Sequence, residues 1–159
     1  MEKLRGDGTG TGTFDDPKVF QAAIRPDHVA IHVTEKGDYR AELTRVELPR
    51  IWIQRGEENL PRVWYSAVSS ARPPIFFLVD ADQVPIRHGG MDVSFGEIVA
   101  VARTSSHHQR TTTACRWGTL ALTPDDLEAA AHLAAFVDIG LARERGHVQC
   151  GWSLGPTEA

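Results

Sequence analysis

HHQRTTTACRWGTLALTPDD, residues 107–126, passes from strand to strand to helix start within one short stretch. His107 to Thr112 and Cys115 to Leu122 close a stretch, from His28 onward, whose β-branched and aromatic runs suit a pleated surface, and both are expected to be strands. Thr123-Pro124-Asp125-Asp126 then announces a helix, with a hydroxyl cap, a proline in the first turn and carboxylates at the positive end of the dipole. If the first segment is extended, side chains alternate across it. His107, Gln109 and Thr111 then share one face, and His108 and Arg110 take the other.

Upstream the same texture continues, with apolar runs separated by Gly, Pro, Asn and Asp. Strands are expected at His28–Thr34, Tyr39–Leu48, Arg50–Arg55, Arg62–Val68, Ile75–Val79, Val84–His88, Met91–Phe95 and Glu97–Ala102. Within the second, the apolar set changes phase from Tyr39, Ala41 and Leu43 to Val46 and Leu48, as a bulge or bend would require. His88-Gly89-Gly90-Met91 supplies the glycines of a tight reversal, and Gly56 to Pro61 reads as a longer turn. Regular spacing of this kind predicts a mainly β protein, an antiparallel barrel or sandwich. Asp16-Pro17 predicts a short N-terminal helix with Val19, Phe20 and Ala23 as its apolar face, stopped by Pro26. Gly6 to Thr13 alternates glycine with polar residues but lacks a phosphate loop's Gly-Lys-Ser/Thr ending, so 1–13 is expected to be a flexible lead-in and 147–159 a tail.

The helix after Thr123 carries an apolar stripe of Leu127, Ala130, Ala131, Ala134, Val137 and Leu141, widened by Leu133 and Phe136, before Arg143, Arg145 and Gly146 close it. Leu127, Ala134 and Leu141 recur every seven residues, and the small Ala130 and Ala131 would let a second helix approach closely. A homodimer through Leu127, Ala130, Ala131, Ala134 and Leu141 is therefore expected, in competition with packing on the chain's own sheet.

With 159 residues, 42% hydrophobic and 24% charged, the chain has the makings of one folded domain over 14–146. A net charge of −4 offers no field for a polyanion, so nucleic acid is not the expected partner. Cys115 and Cys150 are too few for a disulfide framework and have no metal-binding spacing, which suits a reducing compartment. Neither an apolar run of membrane length nor a signal-peptide core is present, so a cytoplasmic location is expected.

Seven histidines raise the question of a metal, and geometry answers against it. His28 and His32 would lie about 13 Å apart on a strand at roughly 3.3 Å per residue, and His107 and His108 point oppositely. No metal and no cofactor are expected. There is no Gly-x-Ser-x-Gly nucleophile elbow, Ser69-Ser70 and Ser105-Ser106 read as loop serines, Asp80 and Asp82 as turn formers, and Cys115 as packing. What remains is recognition. Trp52, Trp64, Tyr65 and Trp117 are the residues expected to line a small-molecule cavity, with Arg110 and either His107 or His108 orienting an anionic or hydroxylated effector.

Two resemblances sharpen this. Gly96-Glu-Ile-Val-Ala-Val, followed by Ala102, Arg103, Thr104, Ser105, Ser106 and His107, resembles the second cupin motif in spacing, with His107 where that motif carries a metal ligand. The family's proline, glycine and asparagine are replaced by Ala102, Thr104 and Thr111, and the ligand-rich first motif has no counterpart around Gly37 to Gly56. More widely, the order of "AELTRVELPRIWIQRGEENLPR", "IRHGGMDVSFGEIV", "HHQRTTTACRWGTLAL" and "TPDDLEAAA" resembles the amino-terminal sensor domain of AraC-type transcription regulators, over roughly Phe14 to Ala135. That resemblance implies a cupin-like β-barrel holding an effector, with flanking helices that dimerise. Only residues 147–159 follow Gly146, so the family's helix-turn-helix pair is not expected here. The expected function is a stand-alone effector-binding and dimerisation domain, not an enzyme. The alternatives are a small metal-dependent cupin isomerase or oxygenase, and a structural module that dimerises with a full-length regulator.

Overall fold

The computed structural model describes residues 9–25, 28–67, 72–100, 106–135, 142–144 and 147–151, with the backbone alone for 130–135 and the last two segments. Its strands are β1 (Gly10–Phe14), β2 (His28–Val33), β3 (Ala41–Glu47), β4 (Ile51–Glu58), β5 (Arg62–Ala67), β6 (Pro74–Leu78), β7 (Ile86–His88), β8 (Met91–Val93), β9 (Glu97–Ala100), β10 (Ser106–Arg110), β11 (Cys115–Leu122), β12 (Ala142–Glu144) and β13 (His147–Gly151). The helices are α1 (Pro17–Ala23) and α2 (Pro124–Ala135). The strands form two antiparallel sheets, one ordered β1-β3-β4-β11-β6-β9-β13-β12 and the other β2-β5-β10-β7-β8. Their inner faces meet in one core, so the architecture is a β-sandwich and not a closed barrel.

Local chemistry explains the elements that matter for the interior. In α1 the Asp16 carboxylate accepts from the Lys18 amide at 2.7 Å and Pro17 opens the first turn. Phe20 is fully buried, whereas Val19, expected on the same face, is 54% exposed. One residue is a turn of about 100° on a helix, too far for both to face the sheet. Gly89 and Gly90 have φ of 56° and 88°, the left-handed pair that a two-residue hairpin needs, and they join β7 to β8 with His88 opposite Met91.

Several expectations are corrected. No bulge interrupts β3, because Ala41, Leu43 and Arg45 are all buried and the register runs unbroken from Ala41↔Glu58 to Glu47↔Trp52. Arg45 occupies the inward place that the apolar pattern skipped, and its Nη1 donates to the Ala23 carbonyl at 3.1 Å. The turn expected from Gly56 begins later, since Gly56 to Glu58 extend β4 opposite Trp117 to Cys115. At the two ends, Gly10–Phe14 pairs with β3 and His147–Gly151 pairs with β9, where a lead-in and a tail were expected. Arg143 lies in β12 and not at a helix end.

The cap of α2 forms as the sequence implies: Thr123 Oγ1 accepts from the Asp126 amide at 3.2 Å and donates to the Asp126 carboxylate at 2.7 Å. Of the expected dimer stripe, Leu127 is half-buried, Ala130, Ala131 and Ala134 are described as backbone only, and Leu141 lies outside the described residues.

Candidate functional site

Between the sheets, an apolar core of Phe20, Leu43, Phe76, Leu78, Ile86 and Trp117 encloses a set of polar side chains. The link from β4 to β5 crosses from one sheet to the other, placing Glu58 and Arg62 in the interior with both side chains at 0% exposure. Arg62 Nε donates to Glu58 Oε1 at 2.6 Å. The same oxygen accepts from Trp117 Nε1 at 3.1 Å, and Oε2 accepts from the Tyr39 hydroxyl at 3.2 Å. Glu58 is thus a fully engaged carboxylate with three donors, one of them charged.

Gly56 makes this arrangement possible. It stands directly opposite Trp117, and a Cβ there would come within 2.3 Å of the indole ring. Without one, the ring lies across β4 with its Nε1 at Glu58, two residues further along. Trp64 of the other sheet meets Trp117 edge to face, with centroids 5.0 Å apart and planes at 76°, and the Arg62 guanidinium lies 4.5 Å from the Trp64 ring.

The inner face of the five-stranded sheet continues as a polar row. Trp64, Gln109 and His88 are cross-strand neighbours on β5, β10 and β7, and all three are buried. His107, also buried, stands two residues along β10 with its ring 5.6 Å from that of His88, which in turn is 5.7 Å from Phe76. Thr111 fastens the row's end, accepting from the Arg62 amide at 2.9 Å and donating its own amide to the Arg62 carbonyl at 2.9 Å.

Four polar atoms of this interior have no hydrogen-bond partner among the described residues: Arg62 Nη1 and Nη2, Trp64 Nε1 and Gln109 Oε1. Burying such groups unpaired costs on the order of 1–3 kcal/mol each, more for a charged one. Three are donors and one is an acceptor.

The residues expected from sequence to contact a ligand separate into three places. Trp64, Trp117 and His107 are brought together in this interior. Tyr65, His108 and Arg110 point out of the other face of the same sheet, where Tyr65 is 53% exposed and its ring stands 6.4 Å from His108 and 6.1 Å from His32. Trp52 lies elsewhere on the larger sheet, beneath the guanidinium groups of Arg25 at 5.0 Å and Arg72 at 4.5 Å. Sequence reasoning did not count Glu58, Arg62, His88 or Gln109 among the ligand-contacting residues. The available signal was phase: Arg62 shares the inward alternation of Trp64 on β5, and Gln109 that of His107 on β10.

Among the described residues no three His, Cys, Asp or Glu side chains converge on a possible metal position, and no helix is long and apolar enough to cross a membrane. Two ionisable groups near Glu58 have displaced equilibria. Burial, then the Glu58 charge, pushes the Tyr39 phenol far above its ordinary value, and burial pushes the Cys115 thiol up. A proton held more tightly in the folded state stabilises that state below the unfolded value and is lost as pH climbs above it. The urea midpoint should therefore hold steady up to about pH 9 and fall beyond it, where the thiol and then the phenol of the unfolded chain ionise. Tyr39→Phe should make the fall above pH 10 shallower, and an unchanged slope would place the alkaline transition elsewhere.

Among solved structures the chain is similar to the AraC-like transcriptional activator CuxR, at 15% identity and a TM-score of 0.53, with 80% of this chain and 52% of that one covered. This chain thus spans about half the length of the activator it matches. At that identity the likeness shows the fold. No protein-family model matches the chain, and no curated protein does.

Proposed function

We propose that this chain is a sensor domain of the AraC-like type, which binds a small-molecule effector between its two sheets and is not an enzyme. The observation that carries the reading is the buried polar row of Arg62, Trp64 and Gln109, whose unpartnered atoms lie inside a core that is otherwise apolar. A fold needs no such row for stability, because apolar residues of similar volume would serve without the desolvation cost. The likeness to a transcriptional activator supplies the context in which a ligand in that place has a use.

The reading includes a homodimer through α2, a cytoplasmic location and no metal. It also includes no direct contact with nucleic acid, which is supported by the net charge of −4 and by the described residues containing no pair of packed helices for a major groove. In an electrophoretic shift assay at low salt the chain should leave duplex DNA unshifted, and a sequence-dependent shift would overturn that part.

Native mass spectrometry of the protein as purified tests ligand binding and association together. The expected spectrum contains a dimer whose protomers carry a small molecule that denaturation releases. Protomers at the bare sequence mass, in protein that also gains no thermal stability from any cell-extract metabolite fraction, would overturn the sensor reading. The dimer has its own test in Leu127→Glu, which would set a charge in the proposed seam on α2 and should yield a folded monomer. Wild-type protein that is monomeric at high micromolar concentration would refute the dimer.

A further inference from the structure

We propose that the free edge of β1 is an association surface, which pairs antiparallel with β1 of a second copy of this chain so that the two larger sheets run on as one. A strand at the end of a sheet presents unpaired N–H and C=O groups, and proteins ordinarily blunt such edges with charge, shortness or cover. The sheets end here on β1 and β12, and on β2 and β8. On β2 the Ile31 amide donates to Gln21 Oε1 at 3.0 Å, so a side chain of α1 already takes a place that an added strand would need. β8 and β12 are three residues long, and each has a charged residue at its centre, Asp92 and Arg143. A second copy of either, paired about its middle, would set like charges face to face. β1 has none of these guards. Gly10-Thr11-Gly12-Thr13-Phe14 carries no charge and no proline, and it runs in unbroken register with β3, the only strand beside it among the described residues.

The occupant is a second copy because β1 is complementary to itself. Paired about Gly12, the exposed Thr11 lies opposite Thr13 of the second copy, and the reverse, which gives two of the threonine pairs that favour strand association. On the inner face Phe14, whose ring stands 5.3 Å from that of Phe20, comes opposite Gly10 of the second copy, so bulk meets no side chain. Asp15 comes opposite Thr9, and no two carboxylates meet. Gly12 faces itself across the two-fold axis, where no side chain holds the backbones apart. Both copies use the same five residues, so the contact closes on itself. A strand this short buries less than the roughly 1,200 Å² of a lasting complex, which sets the affinity on the order of hundreds of micromolar. The contact is separate from the α2 seam proposed above and does not depend on the sensor reading.

Sedimentation velocity of the full chain from micromolar to millimolar concentration tests the edge. An association step is expected in the upper part of that range. Thr11→Lys combined with Thr13→Lys sets lysine against lysine at both pairs and should weaken the step at least about 10-fold, while the thermal midpoint holds because both side chains are exposed. A synthetic peptide of residues 9–15 should compete with the step at millimolar concentration, and the same peptide methylated on its backbone nitrogens should not. The peptide pair is also the second measurement if the lysine variant does not fold. Leu127→Glu, which bears on α2, should leave the step in place, so that failure of the α2 seam and failure of the β1 edge are told apart. A step that the lysine variant keeps at wild-type strength, equal competition from the two peptides, or wild-type protein whose only association step is one that Leu127→Glu removes would each overturn the proposal.

Discussion

Arg62→Met is expected to lower the unfolding free energy by about 3–5 kcal/mol, because it strands the Glu58 carboxylate in the core. The loss belongs to the orphaned charge more than to the missing contact. Adding Glu58→Gln should therefore recover much of it: the new amide can accept from Trp117 Nε1 and donate to the Tyr39 oxygen, and no buried charge remains. Urea unfolding of the wild type, the two single variants and the double variant reads this directly. A double variant as unstable as the sum of its singles would mean that Glu58 and Arg62 act independently. The exposed pair Arg87–Asp92, with side chains 60% and 70% accessible, gives the contrast, since its removal should leave the midpoint where it was.

The second large effect is centred on Trp117. Trp117→Ala removes a fully buried indole that packs on Trp64 and donates to Glu58, and it should cost about 3–5 kcal/mol. Gly56→Ala should also destabilise the wild type, by about 1–3 kcal/mol, because its Cβ would overlap the rigid indole and not a flexible chain end. The two effects share one cause. In the Trp117→Ala background the clash is gone, so Gly56→Ala should become nearly neutral. Equal costs in both backgrounds would mean that Gly56 is required for its backbone and not for the room it leaves.

These positions mark where the sequence was and was not legible. Cys115–Leu122 and the Thr123 cap could be read because local signals agree there: a mostly apolar run with Arg116 its one charge, then hydroxyl, proline and carboxylates in order. The hairpin at Gly89-Gly90 was legible for the same reason. The opposite facing of His107 and His108 followed from strand geometry alone, and the structure resolves which is inside: His107 is buried and His108 is exposed. Arg45, Gln54, Glu58 and Arg62 defeat the apolar-in, polar-out rule, since each is a polar residue at an inward position; Glu58 and Arg62 pair four residues apart, while Arg45, Gln54 and Glu58 also find partners far away in sequence. Gln54, for instance, is held by both backbone groups of Arg25, through its Nε2 at 2.6 Å and its Oε1 at 2.9 Å, a contact no local pattern announces. β1 and β13 were missed because glycine and polar residues predominate in them and their strand character comes from pairing with β3 and β9.

The central claim is the proposal that a small molecule binds between the two sheets beside Arg62, Trp64 and Gln109. A crystal structure of the protein, purified without added carboxylates, tests it most directly. The account predicts density larger than water within hydrogen-bond distance of Arg62 Nη1 and Nη2, extending toward Trp64 Nε1 and Gln109 Oε1. Isolated ordered waters satisfying the same four atoms, or side chains closed over them with no further density, would contradict it.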